Sequence, residues 1–161
     1  MDVERRLEEL GLVLPAAATF PAGIEIPFSW VRLRGDRGFI AGHGALNVDG
    51  SPTGPFGQVP GEVSLEDAQQ SARLAGLAIL SSLKDALGDL DRIAAWLTVS
   101  GYINAEPGYA QTTAVINPVS ELIVDLYGAN AGTHARTAIG VAALPLNLPV
   151  VIAAEVEIER T

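Results

Sequence analysis

Hydrophobic and polar positions alternate along the chain in short, distinct rhythms. Val3, Leu7 and Leu10 recur at helical spacing and predict a short amphipathic helix over residues 1–10, ended by Gly11 and Pro15. Ser29-Trp30-Val31-Arg32-Leu33-Arg34 alternates apolar and polar residues as a half-buried strand does. Gly35-Asp36-Arg37-Gly38 has turn chemistry, and Phe39-Ile40-Ala41 begins the second strand of a hairpin. A Gly/Pro-rich loop fills residues 42–61 and is too long for a mere connector. Ser64-Leu65-Glu66-Asp67 reads as a capping-box variant opening a helix over residues 65–87, with Gly88 as its stop.

Residues 93–103 read as a strand and residues 108–127 as helix. Asn117-Pro118 is read as an N-cap followed by a first-turn proline, restarting a helix that Gly128 ends. Strands over 136–144 and 150–158 close the chain. After the short first helix the order is β-β-α-β-α-β-β. That order predicts a single α+β domain over residues 1–161, with one sheet and both long helices on one face.

Composition narrows the chemistry. The 161 residues suffice for one hydrophobic core, and 48% apolar against 18% charged residues is a globular balance. Ten basic against nineteen acidic residues give a net charge of −9, which argues against nucleic acid as a partner. The absence of cysteine removes thiol catalysis, iron–sulfur clusters and disulfides. His43 and His134 alone do not make a conventional zinc site, so neither metal nor cofactor is expected. The charged first ten residues lack a signal-peptide core, and no apolar run approaches the ~20 residues of a membrane span. A cytoplasmic protein without a membrane partner is expected.

Arg136 is the most informative candidate. On a strand it shares a face with Ala138, Gly140 and Ala142, a cation beside three very small side chains. It either grips a carboxylate through two parallel hydrogen bonds, or pairs with an acidic residue while its small neighbours admit a helix. His43 in the Gly-rich loop is either an acid/base or a turn residue. Glu155, Glu157 and Glu159 alternate with apolar residues, as one solvated face of a strand does. No serine sits in a G-x-S-x-G elbow.

The segment Ala135-Arg136-Thr137-Ala138-Ile139-Gly140-Val141-Ala142-Ala143-Leu144-Pro145, followed by a Val/Ile/Glu strand, resembles the C-terminal signature of the Rid family. These are the reactive intermediate deaminases, also called YjgF-like or L-PSP endoribonuclease-like proteins. Pro27-Phe28-Ser29 resembles the family's P-Y-S, and Ala41-Gly42-His43 its S-G-Q. The helix from Ser64, its Gly88 stop and Leu90-Asp91-Arg92-Ile93 fit the family's middle. The wording is that of a longer, atypical branch.

The resemblance implies a chorismate-mutase-like fold with a mixed sheet, and a homotrimer with clefts between subunits. It also implies a carboxylate-bearing small metabolite held by Arg136, with Ala138, Phe28, Asn117 and His43 at binding positions. The family activity is hydrolysis of enamines and imines to 2-keto acids and ammonia. The chain departs from the pattern where chemistry is expected. The tyrosine of P-Y-S is Phe28, the serine of S-G-Q is Ala41, the cysteine after the arginine is Ala138, and the water-positioning glutamate falls at Val151. His43 or Glu155 are the residues available to replace it. Three functions follow: a deaminase of altered specificity, a non-catalytic carboxylate binder, and, least favoured, an endoribonuclease or translation inhibitor.

Overall fold

The computed structural model describes residues 2–159. Helix α1 (Val3–Glu9) leads to a hairpin of β1 (Val31–Arg34) and β2 (Arg37–His43). Then come α2 (Leu65–Leu87), β3 (Ile93–Asn104), α3 (Thr112–Gly132), β4 (Ala135–Val141) and β5 (Val150–Ile158). The sheet order is β1-β2-β5-β3-β4, with β3 and β4 parallel and every other pair antiparallel. The expected α+β architecture is present: one mixed sheet with α2 and α3 on one face. Val150, Ile152 and Val156 of β5 and Val99 and Ile103 of β3 point into the core beneath the helices. The opposite positions, among them Val151, Ala153 and Glu155, face away from it.

Local signals set most element ends. Ser64 Oγ accepts the Asp67 N–H at 3.1 Å and opens α2; Gly88 closes it at φ 80°. The hairpin turn is tighter than its composition suggested. Gly35 alone takes the positive φ, 60°, that a two-residue turn needs at its first position, so Arg37 and Gly38 already belong to β2. The long helices cross the sheet and each other at glycines. A Cβ on Gly101 would lie 2.5 Å from Ile116, and one on Gly76 would lie 2.6 Å from Val119.

Two readings of the sequence need correction. His43 is the last residue of β2, buried and not in a turn; a bulge between Ile40 and His43 turns it toward α2. Asn117-Pro118 does not restart a helix, because α3 runs from Thr112 straight through Pro118. Proline lacks the N–H that would satisfy the Ala114 carbonyl, and Gln69 Nε2 of α2 supplies the missing donor at 2.9 Å. Asn117 therefore sits inside α3, exposed. Gly128, at φ 74°, breaks the regular helix as expected, and one further turn follows. Among the described residues no helix is long and apolar enough to cross a membrane.

Candidate functional site

The candidate residues fall into two groups that do not meet within one chain. The first lies where α3 covers the edge strand β4. Arg136 Nη1 donates to Ser120 Oγ at 3.1 Å and Nη2 to the Thr113 carbonyl at 3.3 Å. Thr113, Asn117 and Ser120 share one stripe of α3 at i, i+4 and i+7, so exposed Asn117 stands on the same stripe as the arginine's partners. Both acceptors are neutral. Among the described residues Arg136 forms no ion pair with a carboxylate, so its charge is left for something else.

A second histidine orders this group. His134 Nδ1 lies 2.7 Å from the Gly132 carbonyl, and its Nε2 lies 2.9 Å from Ser120 Oγ. A carbonyl only accepts, so Nδ1 carries a proton, and Nε2 shares the second hydrogen bond with the Ser120 hydroxyl. The small face beyond Arg136 admits the chain's own structure. Thr112 Oγ1 donates to the Ala138 carbonyl at 3.0 Å, and a Cβ on Gly140 would sit 3.0 Å from that of Ala105. Of the two readings of these small residues, the structure shows the one in which they admit a helix. The open surface of β4 is the other one, carrying Ala135, Thr137 and Ile139.

The second group surrounds a cleft of about 250 Å³ at the far end of β2. It is lined by Phe28, Trp30 and His43, by Gly42 and Val151, and by Pro145, Leu146 and Leu148. Trp30 organises the aromatic wall. It stacks on Phe20 at 5.8 Å, meets Phe28 edge-on at 5.2 Å and leans on His43 at 5.0 Å. Gly42 is required beside Val151, since a Cβ there would come within 2.8 Å of its methyl. His43 shows the cleft its ring and keeps both nitrogens occupied. Nδ1 meets the Ala41 carbonyl at 2.5 Å and Nε2 meets Ser82 Oγ of α2 at 2.8 Å. Burial holds its pKa below the usual histidine value.

Pro145–Asn147 forms a single 3₁₀ turn in which Leu146 and Asn147 take φ of 56° and 55°. Asn147 is tied to buried Asn104 by a 3.1 Å side-chain bond, and its carbonyl accepts the Gly57 N–H at 2.8 Å. Sequence reasoning missed Trp30, Leu146, Ser120 and His134 as site residues. Paired prolines around Leu146-Asn147 were the one available signal for the turn. Nothing local marks Ser120. Glu155 is not at the cleft's service: it pairs with Arg37 across β2 and β5 on the open sheet face.

No family model matches the chain. Among curated proteins it is 34% identical over 161 residues to Protein TCP17 of Trypanosoma cruzi, covering 98% of this chain and 95% of that one. Among solved structures it resembles Atu1372 of Agrobacterium tumefaciens, of unknown function, at 34% identity and TM-score 0.85, covering 98% and 92%. The YjgF gene product of E. coli shares the fold at 17% identity and TM-score 0.60, over 91% and 98%. The chain belongs to the Rid, or YjgF-like, family.

Proposed function

We propose that this protein assembles as a homotrimer and hydrolyses enamine or imine intermediates to 2-keto acids and ammonia, with altered specificity, in clefts between subunits. One observation carries the reading: Arg136, bonded to two neutral oxygens and to no carboxylate among the described residues, stands at an edge the cleft of its own chain does not include. A neighbouring copy that brings its Arg136 edge to this cleft would unite the two groups. The open sheet face supports association, because Ala41, Ser100, Ala153 and Ile139 leave it poor in charge at its centre.

In such a cleft the guanidinium of one copy grips the substrate carboxylate by two parallel bonds, and the walls of the next hold the remainder. Water adds to the imine carbon, the nitrogen gains protons, and collapse of the carbinolamine releases ammonia and leaves the keto acid. Imines hydrolyse unaided in water, so orientation supplies much of the acceleration. Among the described lining residues only Glu25 and His43 ionise. Both nitrogens of His43 are engaged, leaving Glu25 as the carboxylate positioned to orient water. The acidic balance of the chain counts against RNA as the ligand.

A second reading, a non-catalytic binder of carboxylate metabolites, is favoured by Val151 standing in the cleft where relatives are expected to carry glutamate. The deciding experiment generates imino acids in situ and follows ammonia and keto-acid release, with light scattering for assembly. Acceleration lost in Arg136→Ala, from a trimer that stays assembled, supports the deaminase. Tight carboxylate binding without acceleration supports the binder, and a monomer at micromolar concentration removes both.

A further inference from the structure

Resting on that reading of the site, we infer that the cleft selects substrates whose side chain is large and apolar, aromatic in preference, and that Leu146 sets this selectivity. Three observations converge. The first is size. A cavity of about 150 Å³ lined by apolar side chains holds benzene, and this cleft offers about 250 Å³. A methyl-sized side chain would leave most of it unfilled, and its walls without partners.

The second is the chemistry of the walls. Phe20, Phe28, Trp30, Leu148 and Val151 are apolar or aromatic, and the one buried polar ring, His43, spends both nitrogens inside the protein. A polar side chain entering the cleft would surrender its hydration and find no free donor or acceptor in His43. The described lining residues include no lysine or arginine to pair a carboxylate, so the acid end of the substrate points outward, where it keeps its hydration. Outward is where the reading of the site requires the guanidinium of the neighbouring copy.

The third is backbone. Leu146 occupies the left-handed region, which is unfavourable for a side chain with a Cβ and is ordinarily left to Gly or Asn. The turn is held in that state by the Asn104 and Gly57 bonds to Asn147 and by the Leu148 N–H on the Pro145 carbonyl. What the conformation achieves is to place an isobutyl group, 40% exposed, on the cleft lining. Strain of this kind, kept in place by its surroundings, is typical of sites that position a ligand.

The test is calorimetry with three 2-keto acids as stable product analogues: pyruvate, 4-methyl-2-oxopentanoate and phenylpyruvate. The wild type should bind phenylpyruvate at least roughly tenfold more tightly than pyruvate, the least expected of one added methylene in an apolar pocket. Leu146→Asn, which suits the left-handed turn, should narrow that ratio severalfold, and Phe28→Ala on the exposed rim should do the same. Arg136→Ala should weaken all three acids by one common factor. Equal affinity for pyruvate and phenylpyruvate in the wild type overturns the inference while an effect of Arg136→Ala preserves the reading beneath it. Retained affinity in Arg136→Ala overturns that reading, whatever the ratio. An unchanged ratio in both Leu146→Asn and Phe28→Ala overturns the role of the cleft walls.

Discussion

Ser120 Oγ stands 2.9 Å from His134 Nε2 and 3.1 Å from Arg136 Nη1, so one hydroxyl joins a histidine to the guanidinium. The Ser120 oxygen accepts from the guanidinium while it shares a hydrogen bond with the histidine ring. Under the proposed function Ser120 is a positioning residue. Ser120→Ala should weaken carboxylate binding about fivefold, the scale of one neutral hydrogen bond of ~1 kcal/mol. In an Arg136→Ala background the same change should do nothing further. Calorimetry of the two single variants and the double variant measures that coupling; additive losses would remove the relay.

Glu25 carries the second prediction. If it orients the attacking water, Glu25→Gln should lower kcat for imine hydrolysis by roughly 100-fold, at the lower end of what a positioned acid–base group contributes. The affinity for keto acids should hold. Val151→Glu should recover part of the loss, because Val151 faces the same cleft. Steady-state ammonia release checks both, and a Glu25→Gln enzyme with unaltered kcat would leave the reaction to orientation alone.

His43 makes stability depend on pH. Burial disfavours its charged form, so the native pKa lies below the value near 6.5 that the unfolded chain shows. Above about pH 6.5 both states are neutral there and nothing is lost. Below it the unfolded chain takes up a proton that the native ring refuses, and stability falls as pH descends toward the native pKa. One proton limits the slope to about 1.4 kcal/mol per pH unit. Urea melts at pH 7, 6 and 5 should show a shallower fall for His43→Gln than for wild type; identical slopes would mean the ring charges in place.

Gln69 and Pro118 should be strongly coupled. Gln69→Ala leaves the Ala114 carbonyl without its donor, a loss of about 1–3 kcal/mol for a polar group kept from water. Adding Pro118→Ala restores the backbone N–H, which takes the same carbonyl by the ordinary helical bond. The double variant should therefore unfold at a higher urea concentration than Gln69→Ala alone. If Pro118→Ala brings no recovery, the carbonyl is satisfied by some other group.

Much of the architecture was legible in the residues themselves because its signals are local. Alternation over Val31–Arg34, the Ser64 cap, Gly88 and the tight turn at Gly35 each act within a few residues of where they stand. They set the element order, and with it the α+β sheet. The signature around Arg136 pointed to the family and to a guanidinium bonded to two neutral oxygens. What escaped depends on groups far apart in the chain. Pro118 interrupts nothing because Gln69, 45 residues from Ala114, replaces the missing donor. His43 leaves the loop because a bulge turns it toward Ser82, 39 residues away. The small residues Ala138 and Gly140 left a pocket and a packed helix both open, and the start of α3 and Ala105 decide between them. The cleft itself joins the segment before β1, the end of β2 and the turn before β5. A local pattern determines which conformation a segment prefers; which side chains meet, and which donors are left over for a ligand, is settled only when the sheet brings distant segments together.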